Sequence, residues 1–287
     1  MSSSIKTAIS TSNYSNRLAE LKNLISDADC ILLGAGSGLS SAAGLDYAGD
    51  DFRREFSQWI ERYGFTDLYT SSFYSFKTAE ERWAYWAKHI WFCRYRTGAL
   101  PLYQRLLHLV AHKEHFVITT NVDGQFEKAG FDTQRIFATQ GDYCFFQPSS
   151  GQPKQLYHNK HWVEQVLPVI NDCRIPTELI PHTPDGQTVA VNLRCDDTFV
   201  EDSHWHRQAQ RYNDFVRSAA DRKLLLLEFG VGFNTPTIIR IPFEQMSAHF
   251  PTTTLVRFNR DYPQMLTKDV SRYLAFTENL DDIFLHL

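Results

Sequence analysis

Residues 30–45 read CILLGAGSGLSSAAGL, and the order of residue types in them decides the fold. Cys30, Ile31, Leu32 and Leu33 make a short apolar run that predicts a buried strand. The strand meets Gly34, Ala35 and Gly36, and small residues then lead into a helix. Glycines at such a turn let the backbone approach a pyrophosphate closely, and free N–H groups at the helix start complement its charge. The dinucleotide fingerprint needs a third glycine, where this chain has Leu39. No second strand ending in an acidic ribose ligand follows about 20 residues later, because Asp46, Asp50 and Asp51 come too early. The turn predicts a nucleotide site and fits an ordinary dehydrogenase poorly. Glycine also serves tight turns for steric reasons alone, so the rest of the chain must decide.

Upstream, residues 13–29 carry Leu18, Leu21, Leu24 and Ile25 at helical spacing. Downstream, residues 50–98 are dense in aromatic and charged side chains and predict amphipathic helices with wide apolar faces. They interrupt strand–helix alternation and are expected as an inserted helical module. Residues 101–112 predict a helix and 115–120 a second buried strand, ending at the turn-prone Asn121-Val122-Asp123-Gly124. A short helix over 125–130 precedes a third strand, 135–139, which ends at Gln140-Gly141-Asp142. Residues 144–206 are polar, rich in Pro and His, with strand-like pieces and little helical period; they are expected as a second insertion. Alternation returns with a helix over 205–221, a strand over 223–229 ending at Gly230-Val231-Gly232, and a strand over 253–258 ending at Asn259-Arg260. A last strand is expected over 273–277 and a helix from Leu280.

The pattern predicts an α/β protein: a Rossmann-like parallel sheet with helices on both faces. Ligands of such sheets bind beyond the carboxyl ends of the strands. Four polar or glycine-rich strand ends then converge, at residues 34–36, 121–123, 140–141 and 230–232. The expected division gives 1–49, 99–143 and 197–287 to the large domain. The two insertions, 50–98 and 144–196, form a smaller one.

The chain has 287 residues, 43% hydrophobic and 22% charged, with net charge −4. Its length allows a sizeable core. Its charge gives no electrostatic case for nucleic acid or an anionic membrane. The first fifteen residues lack the apolar stretch of a signal peptide, and no run approaches the roughly 20 apolar residues of a membrane helix. Five scattered cysteines without a CxxC pair fit a reducing compartment, so a cytoplasmic location is expected. Cys144, His158, His161, Cys173, His182, Cys195, His204 and His206 lie in and around the second insertion, but no four-ligand spacing organises them. No metal site is expected.

Taken together, these segments resemble the sirtuin family, NAD-consuming enzymes with a Rossmann-like domain and a small domain made of two insertions. GAGSGLSSAAGLDY is similar to the sirtuin loop GAGxSxxSGIPDFR. Thr120-Asn121-Val122-Asp123-Gly124, with Lys128-Ala129-Gly130, matches QNIDxLHxxAG in spacing. Residues 135–141, RIFATQG, lie over the segment that normally ends in His-Gly. Gly230-Val231-Gly232 takes the place of GTS, and Asn259 that of the Asn near the adenosine ribose. The resemblance runs from about residue 15 to the end. It departs in three places: Gln140 stands at the histidine base, Asp51-Phe52-Arg53 is displaced beyond an extra loop, and the paired zinc cysteines are missing. These departures resemble the macrodomain-associated class, mono-ADP-ribosyltransferases acting on a lipoylated glycine-cleavage H-like carrier protein. A functional link to a macrodomain ADP-ribosyl hydrolase is implied with it.

The resemblance implies NAD as co-substrate and assigns residues to it. Gly34, Ala35, Gly36 and Ser40 go to the pyrophosphate, although serines near a helix start also serve as caps. Leu45, Asp46, Tyr47 and Arg53 belong to the cofactor loop; Arg53 meets a phosphate or merely solvates a helix. Thr120 is assigned to the cofactor, Asp123 to the nicotinamide carboxamide, Asn121 to the ribose or an ordered water, and Gln140 to the ribose hydroxyls. Gly230, Gly232, Asn234, Asn259 and Arg260 are also assigned to the cofactor, Asn259 near the adenosine ribose. The catalytic set implied is Asn121, Asp123, Gln140 and Arg194. Cleaving the nicotinamide–ribose bond develops oxocarbenium character, which the site must stabilise. Asp123 can accept from the carboxamide NH₂, and Asn121 can both donate and accept. Asn and Asp also form turns after strands, and a surface arginine needs no function. Gln140 has no titratable lone pair near neutral pH and cannot act as a general base. Deacylation needs that base and direct transfer does not. Transfer of ADP-ribose is therefore expected, with deacylation, NAD hydrolysis and non-catalytic NAD binding as the alternatives.

Overall fold

The computed structural model describes residues 13–267 and 272–287; the leader expectation rests largely on residues 1–12, outside them. Asn13 caps α1 (Tyr14–Asp27), accepting from the Ser15 N–H at 3.2 Å, and Leu18 and Leu21 turn inward. The apolar run that follows forms β1 (Cys30–Ala35), every residue buried, and Gly36 opens α2 (Ser37–Ala42). Residues 50–98 are helical, as their periodicity predicts: α3 (Asp50–Glu55), α4 (Ser57–Tyr63), α5 (Leu68–Ser71) and α6 (Ala79–Ile90), which runs on into one π-helical turn, Trp91–Tyr95. Thr78 caps α6 by accepting from the Glu81 N–H.

After α7 (Pro101–Val110) come β2 (Glu114–Thr119), α8 (Gln125–Lys128) and β3 (Ile136–Ala138). Next come β4 (Gly141–Pro148), which begins three residues before the expected insertion boundary, β5 (Tyr157–His158), α9 (Lys160–Val166) and β6 (Val189–Leu193). The chain then continues as α10 (Ser203–Ala219), β7 (Leu224–Phe229), α11 (Arg240–His249), β8 (Thr254–Phe258), β9 (Tyr273–Phe276) and α12 (Leu280–Leu285). Two helices were not expected. α9 is only two turns long and lies in polar sequence. α11 follows a loop of Gly, Asn, Thr and Pro and carries Pro242 in its first turn, where the missing N–H costs no hydrogen bond.

The six long-range strands form one parallel sheet in the order β3-β2-β1-β7-β8-β9, the doubly wound Rossmann order. Alternation along β1 sends Ile31, Leu33 and Ala35 to one face, under α1, α7 and α12. Cys30 and Leu32 face the other side, under α10 and α11. Within the sheet, Glu228 of β7 and Arg257 of β8 are paired in register and wholly buried. Two guanidinium nitrogens reach the carboxylate at 2.6 and 2.9 Å, and Glu244 of α11 adds a third contact at 2.9 Å.

A second, antiparallel sheet joins β5-β4-β6. Its apolar face and the helices α3 to α6 share a single cluster that includes Phe52, Phe56, Trp59, Trp83, Trp86, Phe146, Val163 and Val191. Neither insertion closes a core alone. His89 joins them at the centre: one ring nitrogen lies 2.8 Å from the Tyr85 hydroxyl, the other 2.9 Å from that of Tyr143 on β4.

Candidate active site

The carboxyl end of β1 touches the carboxyl end of β7 through bare backbone. A Cβ on Gly36 would lie 2.8 Å from the Gly230 carbonyl, and one on Gly38 2.7 Å from the Gly230 Cα. Gly230 itself holds φ +58°, a left-handed conformation that favours glycine. Gly34 has a different reason to be glycine: a Cβ there would meet Ile239, at the N-cap of α11, and Phe243 within it, both at 2.6 Å. It lets that helix lie against the sheet.

Next to this turn, β2 ends in a polar hub. The Asn121 N–H donates to Thr119 Oγ1 at 3.0 Å, which turns the side chain back toward β1. Asn121 Nδ2 then donates to the Gly36 carbonyl at 3.0 Å and to Ser40 Oγ at 3.1 Å, with Tyr103 OH at 3.3 Å. Ser40 Oγ lies 2.5 Å from Asp123 Oδ2 and 2.8 Å from Tyr103 OH. A hydroxyl has one proton, so Ser40 donates to the carboxylate and receives from Tyr103. The other Asp123 oxygen accepts the Gln125 N–H at 3.0 Å. Burial pushes the Asp123 carboxyl above its usual range, against the hydrogen bonds of Ser40 and Gln125. Burial, and then the Asp123 charge, push the Tyr103 phenol well up.

On the far side of Asp123, Gly124 at φ +67° lies flat against Arg94; a Cβ there would sit 2.3 Å from the guanidinium carbon. Arg94 donates to Asp142 at 2.9 Å and to Glu127 at 2.8 Å. These groups, with Asn121 and Asp123, line a cleft of about 480 Å³ whose apolar walls include Phe126, Phe137, Phe145 and Trp205. Gly34, Ala35 and Gly36 are not part of its lining.

Gln140, at the junction of β3 and β4, accepts the Arg194 N–H on its carbonyl at 3.0 Å. This bond joins two candidates 54 residues apart in sequence. The Arg194 guanidinium pairs with Glu201, donates to the Thr139 carbonyl at 3.3 Å and lies 4.4 Å over the Phe199 ring. On the opposite flank, Asn259 Nδ2 donates to the Val231 carbonyl at 2.9 Å, while its Oδ1 accepts the Tyr262 N–H at 2.9 Å.

The structure thus brings Gly36, Ser40, Asn121 and Asp123 together, with Ala35 and Thr120 beneath them; the Thr120 N–H donates to the Ala35 carbonyl at 3.0 Å. Gln140 and Arg194 form a second pair, and Gly230, Gly232 and Asn259 stand at the β7 and β8 ends. The other candidates take no part in the side-chain hydrogen bonds of the hub, although the Leu45 N–H donates to the Ser40 carbonyl at 2.9 Å. Leu45 is buried in the cluster of the insertions, and the Tyr47 carbonyl receives the Leu68 N–H. Asp46 accepts from its own loop at Ala48, and Arg53 pairs with Asp50 at 2.5 Å. Arg260 pairs with its neighbour Asp261, and Asn234 is exposed. Tyr103 belongs to the hub and was missed, because nothing distinguishes its position on α7 from an ordinary core aromatic. Among the described residues, no group of three or more His, Cys, Asp or Glu side chains could hold a metal ion. No helix among them is long and apolar enough to cross a membrane.

No family model matches the chain. A protein ADP-ribosyltransferase of Staphylococcus aureus is 30% identical over 265 residues, covering 92% of this chain and 84% of the relative. A probable bifunctional ADP-ribose hydrolase/ADP-ribosyltransferase of Fusarium oxysporum f. sp. cubense is 29% identical over 239 residues; the match spans 80% of this chain but 40% of that longer protein. Among solved structures, Sir2Tm bound to a propionylated peptide superposes with TM-score 0.58 at 13% identity, covering 93% of this chain and 95% of that one. Sir2 with a p53 peptide and NAD+ gives 0.55 at 12% identity over the same shares. At such identities these likenesses show the fold, which is that of the sirtuins.

Proposed function

Since the chain belongs to the protein ADP-ribosyltransferases and carries the sirtuin fold, we propose that Asn121, Asp123, Gln140 and Arg194 transfer ADP-ribose from NAD to a protein. The acceptor we propose is a lipoylated H-like carrier. The observation that carries the site assignment is the hub of Asn121, Ser40, Asp123 and Tyr103 against the Gly36 carbonyl. It puts a donor–acceptor amide and a carboxylate beside a backbone able to approach a pyrophosphate.

In this reading the Gly36 turn and α2 receive the pyrophosphate, and Asn259 the adenosine ribose. Asp123 accepts from the nicotinamide carboxamide. As the C1′–N bond breaks, nicotinamide leaves with the electron pair, and the positive charge developing on the ribose is met by Asn121 and the carboxylate. Gln140 holds ribose hydroxyls without removing a proton from them, which supports transfer over deacylation. Arg194, tied to the Gln140 carbonyl, is positioned to meet the acceptor. The cleft beside Asp123, with charged groups and apolar walls, supports a protein acceptor that enters from the β3 side. The division of the chain into a large domain and a two-insertion small domain belongs to the same proposal; the shared aromatic cluster supports it. So does a functional link to an ADP-ribosyl hydrolase, since one relative's name joins both activities. We place the reaction in the cytoplasm, a reducing compartment that fits five scattered cysteines without a CxxC pair.

The test uses labelled NAD with the lipoylated carrier and, beside it, the unlipoylated carrier. Label on the lipoylated carrier alone, absent with Asn121→Ala, is the expected result. Nicotinamide release without labelled protein would replace transfer by hydrolysis. Label on both carriers would remove the lipoyl requirement.

A further inference from the structure

We propose that Arg94 is a positioning residue of the transfer reaction: it clamps the Asn121–Gly124 turn to the Gln140–Tyr143 segment, an assignment that rests on the reading of Asp123 and Gln140 above. The two segments leave the sheet side by side. β2 and β3 stay tied as far as the Thr139 N–H, which donates to the Thr119 carbonyl at 3.0 Å. Beyond it one chain turns into α8 and the other into β4, so the sheet no longer sets their separation. Among the described residues, one backbone bond joins them there, from the Tyr143 N–H to the Val122 carbonyl at 3.0 Å. The rest of the link is Arg94. Its Nε donates to Asp142 Oδ1 at 2.9 Å, and that oxygen also accepts the Cys144 N–H at 2.7 Å, which fastens the carboxylate to β4. Its Nη2 donates to Glu127 of α8 at 2.8 Å, while the guanidinium lies against the bare Cα of Gly124. Among the described residues, no other side chain hydrogen-bonds to both chains beyond the sheet.

The helical insertion presents Arg94 from an irregular turn. Ala87 and Ile90 belong to the aromatic cluster, and at α-helical spacing Arg94 would follow them into it, seven and four residues on. α6 instead opens into the π-helical turn, where the Arg96 N–H reaches back five residues to the Trp91 carbonyl at 2.7 Å. Such turns recur at functional sites, and this one carries Arg94 to the strand ends. Arg94 is 7% exposed. A cation so buried is poor evidence of a stabilising role, because a packed apolar side chain in its place is often neutral. What the guanidinium adds is geometry. Its planar fork fixes the angle between two carboxylate partners, whereas an ammonium at the same place is a point charge without that fork. Gly124 supplies the matching shape, since no side chain fits between its Cα and the guanidinium.

The clamp acts on the alignment of two groups that come from different strand ends. Asp123 is held by Ser40 and the Gln125 N–H without help from Arg94. Gln140 stands two residues before Asp142, so release of Asp142 leaves its segment tied to the turn by the Tyr143–Val122 bond alone. In the proposed transfer the ribose hydroxyls lie on Gln140 and the carboxamide on Asp123, and a drift between them misaligns the bond that breaks. A displacement of about 1 Å costs on the order of 100-fold in rate. The pyrophosphate is assigned to the Gly36 turn and α2, which Arg94 does not touch. The loss therefore belongs to kcat and not to NAD binding.

The experiment follows nicotinamide release from NAD, with the lipoylated carrier present, in the full-length parent, Arg94→Ala, Arg94→Lys and Asn121→Ala. Expected is a kcat lowered on the order of 100-fold in both Arg94 variants, with KM for NAD within about twofold of the parent. Ethylguanidinium, which matches the atoms removed in Arg94→Ala, restores kcat to that variant and leaves Arg94→Lys and the parent unchanged. A parent-like kcat in Arg94→Ala overturns the clamp. So does a loss that ethylguanidinium does not recover and that raises KM as much as it lowers kcat. Where Arg94→Ala is recovered unfolded, Arg94→Lys, which keeps the charge, decides by the same split between kcat and KM. Any of these results with Asn121→Ala inactive leaves the transferase site standing. Turnover undiminished by Asn121→Ala, or absent from the parent, overturns the site reading and the clamp with it.

Discussion

Asp123 is a carboxyl group held at the centre of a hub by two donors, in a place where burial works against its charge. In the proposed role the charged carboxylate is the stronger acceptor for a carboxamide and the better partner for the positive charge developing on the ribose, so kcat/KM is expected to fall as the pH drops through its raised pKa. The Ser40 hydroxyl favours the charged form, and Ser40→Ala should move that acid limb to higher pH. A pH–rate profile of the two proteins checks this; coincident limbs would mean that another group sets it. The residues proposed for this chemistry were legible unevenly. Asn121 and Asp123 stand at a strand end in a turn-prone run, and Gln140 stands out as a group without a usable proton. Tyr103 left no trace, since a buried aromatic on a helix reads as packing until its hydroxyl is seen 2.8 Å from Ser40. The proximity of Arg194 to Gln140 depends on the pairing of β4 with β6, which no local pattern records.

At the level of elements, the glycine turn after β1 fixes how closely two strand ends approach. Gly38→Ala forces its new methyl against the Gly230 backbone, which has no side chain to swing away. Overpacking of this kind costs about 1–3 kcal/mol. We expect a lower Tm together with a weaker NAD titration, whereas Gly232→Ala, with open space around it, should leave Tm near that of the parent. The strands β1, β2, β7 and β8 were legible as apolar runs because both faces of a parallel sheet are buried. α11 was not, because its Pro242 and the turn-rich loop before it read as punctuation. The antiparallel sheet of the second insertion was visible only as strand-like pieces, since β5 has two residues and β4 carries an irregularity between Gly141 and Phe146.

Over the whole molecule, the two insertions depend on one another through His89. Burial lowers its pKa from 6.5 to about 3, so the folded protein keeps it neutral while the unfolded chain protonates it. The unfolded state then binds the extra proton between those two values, and stability falls as pH drops from about 6.5 toward 3, by up to about 1.4 kcal/mol per pH unit. Above pH 6.5 this contribution is constant. Urea titrations at pH 7, 6 and 5 measure the slope; a flat stability over that range would show that His89 is solvated on folding. The tryptophans divide along the same boundary. Five of the six, Trp59, Trp83, Trp86, Trp91 and Trp162, belong to the cluster shared by the insertions, and Trp205 alone packs with the parallel-sheet side. Its indole N–H donates to the Thr139 carbonyl, and its ring lies 5.4 Å from the Arg194 guanidinium. Intrinsic emission is therefore a report on the small module almost by itself, and replacing Trp205 with phenylalanine leaves a spectrum blind to the parallel sheet. The difference spectrum between the two proteins isolates one fluorophore beside Arg194, so an acceptor docking there is observable without any attached dye.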